Sequence, residues 1–243
     1  MNRWQRLAAC VFTAVCFPAA ITQAAPLAPV EDNMAQRVQA CTGCHGPQGR
    51  AAADGYQPRI AGKPAGYLYH QLLNFRDGRR PYALMTQLLA PLSDSYLREM
   101  AEHFATLDVP YLPAPATKVQ TNAVTWARGE ALVRRGDAVL KLPACAQCHG
   151  SALMGVQPAI PALLGLPRDY LNAQLGAWRT GARHAMVPDC MANIAQRLAP
   201  TDIAALSLWL SAQPVPSVSK PAASLPAALP QACGDVTVKV APP

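Results

Sequence analysis

Two five-residue boxes constrain this chain more than any other feature: Cys41-Thr42-Gly43-Cys44-His45 and Cys145-Ala146-Gln147-Cys148-His149. Their first cysteines stand 104 residues apart, and each box has its own histidine. C-x-x-C-H is the attachment signature of c-type haem. Two thiols add to the two vinyl groups of one porphyrin, so they must stand a short helical step apart. The adjacent imidazole then reaches the iron from one face. A four-cysteine zinc site brings its pairs within about 15–20 residues, and a thioredoxin-like pair follows a strand in a βαβ context. Neither pattern is present. The expectation is two covalently bound haem c groups, held by Cys41, Cys44, Cys145 and Cys148, with His45 and His149 as iron ligands.

The residues around the boxes repeat. Shifted by 103, Pro58-Arg-Ile-Ala-Gly62 meets Pro161-Ala-Leu-Leu-Gly165, Tyr67-Leu68 meets Tyr170-Leu171, and Gln71-Leu72 meets Gln174-Leu175. Phe75-Arg76 meets Trp178-Arg179, and Arg80 meets Arg183. With the shift widened to 106, Met85 meets Met191 and Leu92 meets Leu198. This is duplication of a unit near 100 residues, not a short solenoid period.

The start of the chain reads as an address. Arg3 and Arg6 precede an apolar stretch from Leu7 to Ala20, and Thr22-Gln23-Ala24 offers small residues for cleavage. This is the pattern of a secretory signal peptide, 1–24. Its removal takes away Cys10 and Cys16 and lowers the net charge from +7 to +5. The expected compartment is the periplasm, which is oxidising. No apolar run reaches the length of a spanning helix, and 14% charged residues argue against a disordered chain. The positive charge does not point to nucleic acid in that compartment. It favours acidic partner surfaces and is compatible with peripheral contact at anionic headgroups.

Organisation follows from the repeat: domain one over 25–108, a Pro-rich linker over 109–121, domain two over 122–213, and a Pro/Ala-rich tail over 214–243. Both units read as helical, with no alternating strand. Segments 31–40 and 125–140 have helical composition before each box. Segments 67–75 and 170–178 are short and amphipathic. The closing helix of unit one starts near Ser93 or Asp94, its apolar residues Leu97, Met100, Phe104 and Leu107 at helical spacing. Thr201 is the expected N-cap of its counterpart. Methionine is the soft second ligand that raises a haem potential. Met85 lies 40 residues past His45, in an expected loop, and Met191 lies 42 past His149. Met100 reads as core and Met154 sits too near its own box. Met186 and, more weakly, His184 stand as alternatives to Met191. His70 and His103 read as ordinary surface or core histidines. Pro58 and Pro161 offer carbonyls to orient the two proximal imidazoles. Arg76, Arg80, Arg179 and Arg183 are either propionate partners or solvated arginines.

These motifs together resemble the dihaem cytochromes c4, over roughly residues 31–213. The resemblance implies an all-α fold of two tandem class-I cytochrome c domains, each wrapped around one haem. It implies His/Met ligation by His45 with Met85 and His149 with Met191. It also implies a periplasmic electron shuttle, taking electrons from a quinol-oxidising complex or a dehydrogenase to a terminal oxidase or other acceptor. Such a carrier is expected to be a monomer and not an enzyme. Two features depart from the pattern: Cys190, beside the ligand Met, and Cys233, in the tail. They point to a sub-branch with a particular dehydrogenase as partner. As the two unallocated thiols of an exported protein they are expected to bond, tying the tail over the haem edge of unit two; two free thiols is the alternative. A dedicated dehydrogenase subunit and a dihaem peroxidase are the rival functions.

Overall fold

The computed structural model describes residues 31–52, 54–111, 122–234 and 236–241. The expected signal peptide and linker residues 112–121 lie outside the described residues. Unit one opens with α1 (Met34–Arg37), capped by the Asn33 side chain, and α2 (Gln39–His45). Val38 leaves helical geometry between them and buries its side chain. The single helix expected over 31–40 is thus two helices, and the second runs into the first box. Then follow α3 (Ala65–Arg76), α4 (Ala83–Leu89) and α5 (Asp94–Thr106). Ser93 caps α5 by accepting the Tyr96 N–H, as its sequence position implies.

Unit two repeats the order with α6 (Ala123–Arg134), α7 (Cys145–His149), α8 (Arg168–Arg179), α9 (Cys190–Arg197) and α10 (Pro200–Ala212). Two expectations need correction. The helix expected over 125–140 stops at Arg134, because Asp137 and Leu142 exchange backbone hydrogen bonds of 2.8 Å across a tight turn. That turn gains two paired backbone groups that a longer helix would have to break. The N-cap of α10 is Ala199, not Thr201, because Pro200 occupies the first helical position, where its missing N–H costs nothing. Among the described residues there is no strand, only isolated bridges.

Each unit has its own apolar cluster. In unit one Val38, Leu68, Leu89, Leu97, Met100 and Phe104 are buried together; in unit two Leu132, Val133, Met154, Leu171, Leu206 and Trp209 are. Met100 is a core residue, as read from the sequence, and Met154, set aside there for its nearness to its own box, is buried in the core of unit two. In unit two, α10 packs against both α6 and α8. The α6–α10 crossing is close at Gly129, where any Cβ would run into the Ala205 carbonyl and lie 2.9 Å from the Trp209 Cβ. Gly129→Val is expected to force the helices apart and cost about 2–3 kcal/mol by overpacking. Thermal unfolding of the holoprotein checks this, and an unchanged Tm would refute the close crossing.

From Asp32 onward the chain forms one compact unit, so the two repeats share an interface. The tail contributes a side chain to the interior. Leu225 is buried with Val156 and Ile160. No helix among the described residues is long and apolar enough to cross a membrane.

Candidate functional site

Each box is the end of a short helix followed by a glycine with positive φ: Gly46 at 75° and Gly150 at 81°. A side chain at Gly46 would strike the Ala51 carbonyl. The chain must turn sharply after each histidine, and these glycines are a sequence signal that the reading above left unused. In unit two the Gln147 side chain accepts the Ala144 N–H at 2.9 Å and so closes the start of α7.

The turn carries the chain back under the imidazole. His45 Nδ1 lies 2.8 Å from the Pro58 carbonyl, and His149 Nδ1 lies 2.8 Å from the Pro161 carbonyl. A carbonyl only accepts, so Nδ1 holds the proton and Nε2 keeps its lone pair. Burial pushes both imidazoles below the usual histidine range, and the proline carbonyls oppose that only in part. The two rings are therefore neutral, oriented and free to donate from Nε2, as a metal ligand must be.

In unit two one cavity gathers the expected ligands. Cys145, Cys148, His149 and Met191 all line one cavity. Met186 and His70 also line it. His184 does not: it is exposed, and its backbone N–H is held by the Arg79 carbonyl at 2.7 Å. In unit one, Cys41 and Met85 pack against the same hydrophobic cluster. The methionines stand in the first turns of α4 and α9, not in loops as expected for Met85. Matched arginines hold the chain just past these helices. Arg76 Nη1 donates to the Leu92 carbonyl at 3.1 Å and Arg179 Nε to the Leu198 carbonyl at 2.9 Å. Both arginines thus fasten the methionine segments, and Arg76 also pairs with Asp77 and Asp94.

The thiols are unsuited to act by themselves. Burial pushes the Cys145 thiol up to about 12 and raises Cys41 and Cys148 as well. A redox-active Cys-x-x-Cys needs a depressed pKa on its attacking sulfur. These sulfurs fit a thioether role instead.

Buried cations decide what else the cavity must hold. Arg80 and Arg183 meet across the unit interface through two shared acceptors. Arg80 donates to Gln71 Oε1 at 3.0 Å and Gln174 Oε1 at 2.8 Å; Arg183 donates to Gln174 Oε1 at 2.5 Å and Gln71 Oε1 at 2.7 Å. Arg183 also stacks 3.6 Å from the Trp178 ring centroid. Burial, with Arg80 beside it, pushes Arg183 down to about 10. Lys63 of unit one reaches into the cavity of unit two, and burial pushes it down to about 8. Among the described residues none of these three cations enters an ion pair. Arg183 Nε and Trp178 Nε1 are buried without a hydrogen-bond partner. Buried charges and donors of this kind call for an anion. An apolar cavity with two thiols, a neutral histidine, a thioether and unpaired donors for carboxylates fits a haem with its propionates.

No protein-family model matches the chain. The curated "Thiosulfate dehydrogenase electron acceptor" of Thiomonas intermedia is 37% identical over 175 residues, 72% of this chain and 79% of that protein. Cytochrome c4 of Pseudomonas aeruginosa is 35% identical over 172 residues, 70% of this chain and 82% of that protein. The chain belongs to the cytochrome c4 family. Among solved structures, reduced cytochrome c4 from Pseudomonas stutzeri superposes with a TM-score of 0.62 at 29% identity, covering 73% of this chain and 95% of that one. A thiosulfate dehydrogenase (TsdBA) from Marichromatium purpuratum superposes at 0.63 with 32% identity, covering 72% of this chain; the chain spans only 36% of that longer one. As a cytochrome c4, the protein is a dihaem electron-transfer cytochrome with two tandem all-α class-I units and covalently bound haem c.

Proposed function

We propose that Cys41 and Cys44 hold one haem and Cys145 and Cys148 the other, with His45/Met85 and His149/Met191 as axial pairs. The observation that carries this is the matched geometry of the two boxes: a neutral histidine oriented by a proline carbonyl in each, and in unit two one cavity that Cys145, Cys148, His149 and Met191 all line. Bound there, haem supplies a one-electron Fe(III)/Fe(II) couple by outer-sphere transfer. The protein's residues set its environment. The His–Pro hydrogen bonds orient the proximal rings and raise their basicity. The thioethers of Met85 and Met191 would serve as the second ligands and so leave no iron position for a substrate. Arg183, Trp178 and Lys63 offer donors to the carboxylates. Repeats 25–108 and 122–213 act as one haem domain each, joined by 109–121.

The working site is the periplasm, reached by the signal peptide 1–24, and the protein works as a monomeric carrier, not as a catalyst. The donor that best fits is a dehydrogenase, and specifically a thiosulfate-oxidising one. Two of the curated relatives bear the name of its electron acceptor, and a solved thiosulfate dehydrogenase contains a region of this fold. Incubation with such an enzyme and thiosulfate should reduce both haems. Failure there, with ready reduction by a quinol-oxidising complex, would favour the general shuttle. Peroxide-dependent turnover at enzymatic rates would favour the peroxidase reading over both.

The ligand assignment has a sharp test. Met191→Ala is expected to remove the thioether-to-iron absorption band of one haem and leave that of the other. Met186→Ala should leave both bands, because Met186 sits at the cavity margin and is 41% exposed. The reverse outcome would transfer the ligand role to Met186.

A further inference from the structure

The chain after α10 has no counterpart in unit one, and its contacts join the loop after the second box to the start of α9, both of which contribute to the lining of the unit-two cavity. On the histidine side, Ala222 pairs with the loop that follows the box. Its N–H donates to the Gly155 carbonyl at 2.9 Å, and its carbonyl accepts the Gln157 N–H at 2.8 Å. Leu225 buries against Val156 and Ile160, immediately before the Pro161 carbonyl that orients His149. On the methionine side, Gln231 Nε2 donates to the Cys190 carbonyl at 3.0 Å, Gly234 N–H donates to the Pro188 carbonyl at 2.8 Å, and Cys233 is disulfide-bonded to Cys190, next to Met191. The chain then returns and fastens to itself, Leu225 N–H to the Lys239 carbonyl at 2.9 Å and Ala241 N–H to the Leu225 carbonyl at 2.8 Å. Between these anchors Leu229, Gln231, Gly234 and Val236 line the cavity itself.

The duplication supplies an internal control. In the register that pairs Met85 with Met191, Leu84 matches Cys190 and Leu88 matches Ile194. Leu84 is 48% exposed and Leu88 52%, whereas Cys190 and Ile194 are half-buried. Cys44 is exposed and Cys148 half-buried; His45 is half-buried and His149 buried. The positions that unit one leaves more exposed are more covered in unit two, where the tail is bonded to one of them, Cys190.

We propose that the described residues of the tail, 214–234 and 236–241, form a strap, locked by Cys190–Cys233, which shields the haem edge of unit two, so that exchange with other molecules runs through unit one. The inference rests on the dihaem reading above. Outer-sphere transfer weakens steeply with distance, and a layer of polypeptide over one edge makes the two ends of the molecule unequal. Unit two then works as an internal acceptor reached across the Arg80–Gln174 and Arg183–Gln71 interface. In an oxidising compartment the disulfide makes the cover permanent.

The test reads solvent access, not turnover. In the fully reduced holoprotein, which is diamagnetic, a soluble neutral gadolinium chelate broadens the resonances of exposed haem protons. Unit-one haem protons are expected to broaden several-fold more than unit-two protons. Deleting residues 214–243 should bring the two sets within about twofold of each other. Because deletion bares Val156 and Ile160, the double variant Cys190→Ser/Cys233→Ser is measured alongside; it keeps the segment, frees its end and should narrow the difference in the same direction. Equal broadening in the intact protein would overturn the strap. So would an unchanged ratio in both variants while each retains two haems and both thioether bands. A pyridine haemochrome count below two per chain in the intact protein would instead remove the dihaem reading, and the strap with it.

Discussion

Replacing Cys41, Cys44, Cys145 and Cys148 together by serine is expected to leave a chain without native-like helical circular dichroism or a cooperative thermal transition. The physical argument is one of size. Units of about 90 residues bury a limited core, and aromatic residues make up only 6% of this sequence. The unit-two cavity is walled by apolar side chains such as Leu171, Leu175, Ile194 and Leu206 that a porphyrin would cover. Without it these walls face a void or water, and three cations remain buried without an anion. Large-to-small core changes cost about 2–5 kcal/mol each, and a missing haem is several such changes at once. That approaches the whole stability of a domain, about 5–15 kcal/mol. Native-like ellipticity with cooperative melting in the fourfold variant would refute the idea that the cofactor completes the core.

Lys63→Gln is expected to lower the potential of the unit-two couple and leave that of unit one nearly unchanged. Lys63 is the point where the repeat breaks symmetry: Gly62-Lys63-Pro64 stands opposite Gly165-Leu166-Pro167. The lysine belongs to unit one by sequence but lines the cavity of unit two. A positive charge favours the electron-richer ferrous state. One unit charge at roughly 10 Å, with an effective dielectric near 20, is worth about 1–2 kcal/mol, or roughly 40–90 mV for a one-electron couple by ΔG = −nFΔE. The sign with pH follows. Burial brings the ammonium down to about 8, and a propionate beside it would move the loss of charge above that value. The unit-two potential should therefore hold steady at neutral pH and fall as pH rises beyond about 8, when the charge is lost. Lys63→Gln should flatten that dependence, whereas Lys63→Arg should keep the higher potential and shift the fall out of range. Redox titrations at pH 7 and 9.5 with spectroscopic resolution of the two haems decide it. No change in either couple would show that the ammonium does not face the unit-two haem.

The residues proposed to grip the cofactor are legible in the primary structure because their chemistry is local. Two sulfurs and an imidazole must stand within one helical turn, so Cys145, Cys148 and His149 are adjacent in any fold that uses them. Duplication did the rest: a carbonyl 12 or 13 residues on and a methionine about 40 on could be found by matching one copy against the other. Even the Cys190–Cys233 pair was open to elimination, as the two thiols that neither box nor the expected signal peptide claims. What tertiary structure alone decided is how the copies differ. Lys63 entering the other unit's cavity, Arg80 and Arg183 sharing Gln71 and Gln174, and the tail joining the histidine loop to the methionine helix each link residues far apart in the chain. Their worth comes from burial and from charges left unpaired until the chain closes around them, and no local pattern of residues records that.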